Sequence, residues 1–141
     1  MDKYKNSYAG RFLDYLDQSL VEKEIATEHK RLDGGYRGVG PQLSGVYRLA
    51  QRPDLALHII ALPDEKWNAR PMEWAIIFAN ILPYSKVEDL NDGDRIRVDG
   101  RRIPRKGVGW EVTSDSNFPH YSTFSELEAE ILEDVAAGLR Q

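Results

Sequence analysis

Leu55 to Leu62 form an almost unbroken apolar run, and this run constrains the fold more than any other stretch of the chain. It opens after the turn-prone Arg52-Pro53-Asp54 and closes at Pro63, a length that favours a buried strand over a helix. His58 is its only polar break. Gly45 to Ala50, on the other side of the turn, supplies a partner, so the two runs read as a hairpin whose second strand is the more deeply buried.

The next segment reads differently. Pro71 stands where a first helical residue would, and Met72, Trp74, Ala75, Ile76, Ile77, Phe78, Ala79, Ile81 and Leu82 put apolar groups around most of a helical circumference. That pattern predicts a central helix packed on several sides and ended by Pro83. Glu88 to Asp94 follows as a polar turn with Gly93 available for positive φ, and Arg95 to Gly100 alternates as a half-exposed strand does. Asp99-Gly100 suits a hairpin turn, with Arg101-Arg102-Ile103 as the return strand.

The order apolar strand, Pro63, Trp67, Pro71-Met72-Glu73-Trp74-Ala75-Ile76-Ile77-Phe78-Ala79, spacer, Leu90-Asn91-Asp92-Gly93-Asp94-Arg95-Ile96 resembles a segment of suppressor-of-fused-like domains. There a strand leads to a Trp-bearing helix, then to a Gly-His or Gly-Asp turn and another strand. The resemblance covers about residues 55–100, and Asp94 stands where bacterial members often carry His. It implies a binding role, because bacterial members are associated with toxin–immunity systems.

Composition bounds the chemistry. At 141 residues the chain is expected to be one domain, residues 1–141, able to bury about two thirds of its unfolded surface. Cysteine is absent, which excludes a disulfide framework, a thiolate metal site and a cysteine nucleophile, and suits the cytoplasm. The first seven residues are polar and charged with no apolar stretch behind them, and nothing approaches a membrane span. The expectation is therefore a cytoplasmic chain whose mature and encoded forms coincide, with no membrane partner. A net charge of -4 argues against a general nucleic-acid binder, which needs a positive surface to displace phosphate counterions. It fits a protein that covers a basic partner, and equally an ordinary cytosolic domain.

Two amphipathic helices are expected at the ends. Phe12, Leu13, Leu16, Leu20, Ile25 and Leu32 fall on a three-to-four spacing over Tyr8 to Leu32, with a solvated charged face between them and room for an interruption near Ser19. At the other end Thr123-Phe124-Ser125-Glu126 is a capping box. Phe124, Leu127, Ile131, Leu132, Val135 and Leu139 mark an apolar face there, against Glu128, Glu130, Glu133 and Asp134. Those four carboxylates are candidates for contact with a basic partner.

The glycine-rich segment from Asp33 to Pro41 lacks the Gly-Lys-Ser/Thr of a phosphate loop and the strand-then-helix setting of a dinucleotide fingerprint. Gly34 or Gly35 reads as a helix cap followed by a loop, on which Tyr36 and Arg37 have the composition of a partner-contacting surface. Arg95, Arg97, Arg101, Arg102, Arg105 and Lys106, with nearby Trp110, form the concentrated basic patch. They offer an anion or nucleic-acid site, or a solvated hairpin whose cations suppress edge pairing. Trp110 to Thr113 is a strand candidate. Ser114, Asp115, Ser116 and His120 can be arranged as a triad on paper, but no Gly-x-Ser-x-Gly elbow supports it. His29, His58 and His120 share no ligand spacing, and no cofactor motif is present. His58 is expected to be a hydrogen-bonded structural residue.

Together these features predict a single α+β domain of five or six mostly antiparallel strands, with N-terminal, central and C-terminal helices. Three functions are compatible with it. The first is a non-enzymatic protein-binding domain, most concretely an immunity or antitoxin-like inhibitor that occludes a cognate bacterial toxin. The second is a small-ligand or nucleic-acid module using the arginine patch, and the third a hydrolase using His58 or His120 with a carboxylate.

Overall fold

A computed structural model of the chain describes residues 6–32, 34–36, 40–63, 74–90, 101–102, 110–117 and 119–139. Helix α1 spans Tyr8–Glu22, and the Ser7 hydroxyl caps it by accepting from the Gly10 amide at 3.1 Å. Tyr8, Phe12, Leu13, Leu16 and Leu20 lie on its buried face. The helix ends without glycine or proline. Ile25 N–H reaches back to Leu20 C=O at 2.9 Å, and Glu24 takes the left-handed conformation at φ 59° that closes such a turn. A side chain in that region is strained where glycine is not, so Glu24→Gly is expected to raise stability by about 1 kcal/mol, read as a higher urea midpoint. No gain, or a loss, would mean that the Glu24 side chain contributes something that offsets its backbone cost.

After this turn the chain is extended. The helix expected to continue to Leu32 gives way to strand β1, Ala26–Arg31, paired antiparallel with β3, Gly40–Leu49. The Ile25 and Leu32 spacing that suggested helix is coincidental, because a reversal made by glutamate leaves no sequence signal. The glycine segment is corrected too. Gly34–Tyr36 forms a short strand β2 on Gly40–Gln42, so these glycines sit in a hairpin rather than capping a helix.

Strand β4, Leu55–Pro63, pairs with β3 through Leu43–Ala61 to Arg48–Ala56, which is the hairpin read from the sequence. The expected central helix is strand β5, Trp74–Pro83, in antiparallel register with all of β4 from Leu55–Pro83 to Pro63–Ala75. Ala75, Ile77, Ala79 and Ile81 face one side of the sheet, while Trp74, Asn80 and Leu82 are buried on the other. A strand covered on both faces is apolar at successive positions, and this mimics a helix buried all round. The Trp-bearing helix in the suppressor-of-fused resemblance is thus a strand here. Asn91 to Gly100, including the expected turn at Gly93 and strand at Arg95, lie outside the described residues, as does Pro71.

Two short strands share the far edge of β5: β6, Arg101–Arg102, beside Ile81 and Asn80, and β7, Trp110–Thr113, beside Ile77 to Trp74. The strand order is β1-β3-β4-β5-β6, with β2 on β3 and β7 on β5. Helix α2, Phe124–Leu139, starts where the capping residues place it, with the Thr123 hydroxyl accepting from Glu126 N–H at 3.2 Å. Both helices cover the same sheet face. Leu127, Ile131 and Val135 of α2 join the buried face of α1 over Leu57, Ile59, Ile77, Trp110 and Val112. A smaller cluster of Leu32, Val46, Ala56, Leu82 and Val87 lies on the opposite face, under Tyr84 and Leu90 of the segment after β5. The result is an α+β domain with N-terminal and C-terminal helices on one antiparallel sheet. No helix among the described residues is long and apolar enough to cross a membrane.

Candidate functional site

Helix α2 carries five acidic side chains and no lysine or arginine, while the whole chain has a net charge of -4. The rest of the chain is therefore one charge positive, and the acidity belongs to this helix. Glu126 and Glu133 are exposed, and Glu130 and Asp134 are half-buried. Glu126, Glu130 and Asp134 follow one another at i, i+4, where like charges cost a helix about 0.2–0.5 kcal/mol per pair. Glu126, in the first turn, suits the helix dipole, while Glu133 and Asp134 lie more than a turn before the C-terminal end, beyond its reach. A helix selected for stability alone would intersperse lysine. Glu128 differs from its neighbours. It is buried against α1, accepting from Lys23 Nζ and from the Tyr15 hydroxyl at 3.3 Å, and the bond to Glu128 holds the Lys23 ammonium above its usual pKa. Glu128 is an anchor between the helices and is not part of the solvent-facing ridge.

The ridge is held in place by aromatic packing. Phe124 stands among Tyr8, Phe12 and Tyr15, with ring centroids 5.2, 5.7 and 5.6 Å away. The Tyr8 hydroxyl donates to Ser122 C=O at 2.7 Å, and burial pushes its pKa up to about 12. Both contacts set the start of α2 against the start of α1.

At the opposite end of the sheet a half-open pocket of about 350 Å3 lies between β1 and the segment after β5. Val46 and Val87 give it an apolar lining, and Glu28, His29, Lys30, Tyr84 and Glu88 a polar one. Several of its polar groups are already engaged. The Glu28 carboxylate accepts from the Tyr84 hydroxyl at 2.9 Å and from the Arg48 guanidinium at 3.3 Å, and these two bonds hold its carboxyl below the usual pKa. The Arg48 guanidinium also lies 4.2 Å above the Tyr84 ring, and Lys30 donates to the Glu88 carbonyl at 2.6 Å.

His58 is 1% exposed in the middle of β4, and its cross-strand neighbour Asn80 is equally covered. Neither imidazole nitrogen has a hydrogen-bond partner, and nor does the Asn80 side-chain oxygen. The histidine expected to be hydrogen-bonded is therefore held neutral by burial, its pKa lowered to about 4. A base so weak and so enclosed is poorly suited to hydrolysis. His120 is exposed, and the Asp115 carboxylate accepts from the Asn117 backbone N–H at 3.0 Å and from its side chain at 3.1 Å.

The remaining sequence candidates divide as follows. Tyr36 belongs to β2, and Arg37 is outside the described residues, as are Arg95, Arg97, Arg105 and Lys106. Arg101 and Arg102 form β6. Trp110 is 3% exposed in the core under the helices, so it offers no stacking surface beside the arginines. Sequence reading missed the β1 pocket, because Glu28 and Tyr84 are brought together only by the sheet. No group of three or more His, Asp or Glu side chains among the described residues is arranged to hold a metal. No protein family, curated protein or solved structure matches the chain.

Proposed function

We propose that the chain is a non-enzymatic protein-binding domain that works by occlusion, its acidic α2 ridge lying on a basic surface of a partner. The observation that carries this reading is the confinement of the chain's negative excess to one helix, at a cost in helix stability. Opposite charge on the partner would speed the encounter and fix its orientation more than it deepens affinity. An immunity or antitoxin-like protein facing a basic, cognate bacterial toxin is the concrete form of such a partner relation. The absence of cysteine suits an encounter in the cytoplasm. The arginine patch is a weaker basis for function now that Trp110 is part of the core.

Affinity capture of the tagged chain from its own cells, with the product of a neighbouring gene as the first candidate, tests this reading. A one-to-one complex is expected that weakens with salt and loses at least tenfold in affinity in Glu126→Lys/Glu133→Lys. A complex indifferent to that reversal, or nucleic acid retained in place of protein, would overturn it.

A further inference from the structure

We infer that β1 is a self-pairing edge through which two copies of this chain join their sheets. β1 ends the strand order, and its outer side has no strand partner among the described residues. Leu32 N–H bonds Ser44 C=O across the β1–β3 pairing, so by strand alternation Lys30 turns its backbone groups towards β3 while His29 and Arg31 turn theirs outward. Thr27, Glu28 and His29 are exposed.

An outward-facing residue can pair only with an outward-facing residue, which leaves a few registers for a second copy of the same edge running antiparallel. Centring the pair on Lys30 opposes two lysines, and centring it on Glu28 opposes two glutamates. Centring it on His29 brings the two His29 residues together on the two-fold axis and sets Glu28 of each copy directly across from Lys30 of the other, so that the pair adds to the contacts Glu28 makes with Tyr84 and Arg48 and Lys30 makes with the Glu88 carbonyl in its own chain. Charges along an edge ordinarily repel an arriving strand. Here their order admits one register and rejects its neighbours, and this identifies a second copy as the occupant.

The chain has no cysteine, so single cysteines report the register directly. Residues facing each other in a hydrogen-bonded antiparallel pair have Cα atoms about 5.5 Å apart, within reach of a disulfide. His29→Cys is expected to give a reducible covalent dimer under mild oxidation. Glu28→Cys and Lys30→Cys should each stay single alone and cross-link when mixed. Sedimentation velocity of the unaltered chain should show twice the 16.1 kDa monomer mass at micromolar concentration, and Lys30→Glu should return it to the monomer. A monomer throughout that range, or Glu28→Cys cross-linking to itself as fast as His29→Cys, would overturn the assignment. Neither result depends on whether α2 binds a foreign partner.

Discussion

Acidification from pH 7 to pH 4 is expected to cost the fold about 3 kcal/mol through His58 alone. The imidazole titrates near 4 when folded, against an ordinary 6.5, because burial disfavours its charged form. A tenfold difference in proton affinity is worth about 1.4 kcal/mol, which gives the total. Above pH 6.5 neither state is protonated and the full stability is present. Between 6.5 and 4 the unfolded chain takes up a proton that the folded chain refuses, so stability falls. Below 4 both states are charged and the loss stops growing. His58→Leu keeps the volume nearly constant and removes two unsatisfied nitrogens, so it should raise stability at pH 7 by about 1 kcal/mol. It should also flatten the acid limb. Urea titrations of both proteins across this range compare the slopes, and parallel curves would show that His58 does not titrate as its burial requires.

Phe124→Ala is expected to loosen the seat of α2 on α1 at a substantial cost in stability. The ring contacts one aromatic of α1 on each of three sides, yet it is only partly buried, which places the cost near the low end for such changes, about 3 kcal/mol. That corresponds to a melting temperature lower by about 10 °C for a chain of this size. Phe124→Leu should recover part of the loss. If the alanine variant melts within a degree or two of the parent, Leu127, Ile131 and the Lys23–Glu128 contact hold α2 without the aromatic cluster.

What the sequence disclosed depended on how locally each element is specified. The β3–β4 hairpin was legible because Arg52-Pro53-Asp54 marks its turn, and α2 because Thr123 and Glu126 mark its start. β5 was not, since ten residues covered on both faces lack the alternation that distinguishes strand from helix. The isoleucines and aromatics of that run were the available hint of strand. β1 was hidden by a left-handed glutamate where glycine would have announced the end of α1. At the candidate site, Glu130, Glu133 and Asp134 could be named from sequence as a charged face together with Glu128, whereas Glu126 stood out only as a capping residue. Their sorting could not, because Glu128 is withdrawn from the ridge by Lys23, 105 residues earlier in the chain. Trp110 was misjudged for the same reason: its proximity to the arginines in sequence says nothing about which face of β7 it occupies.

The clasp between Tyr8 and Ser122 joins residues 114 positions apart, whereas β3, β4 and β5 pair with their neighbours in sequence. That contrast sets an order in time. The meander closes connections of five and ten residues, while seating α2 on α1 must await the closure of almost the whole chain. We expect the clasp to form last and to open first, so that damage at Phe124 accelerates unfolding and leaves the folding rate nearly unchanged, as stopped-flow kinetics would show. The acidic ridge then rides on the part of the domain that lets go earliest, and a partner bound there would act as a lock on the folded state.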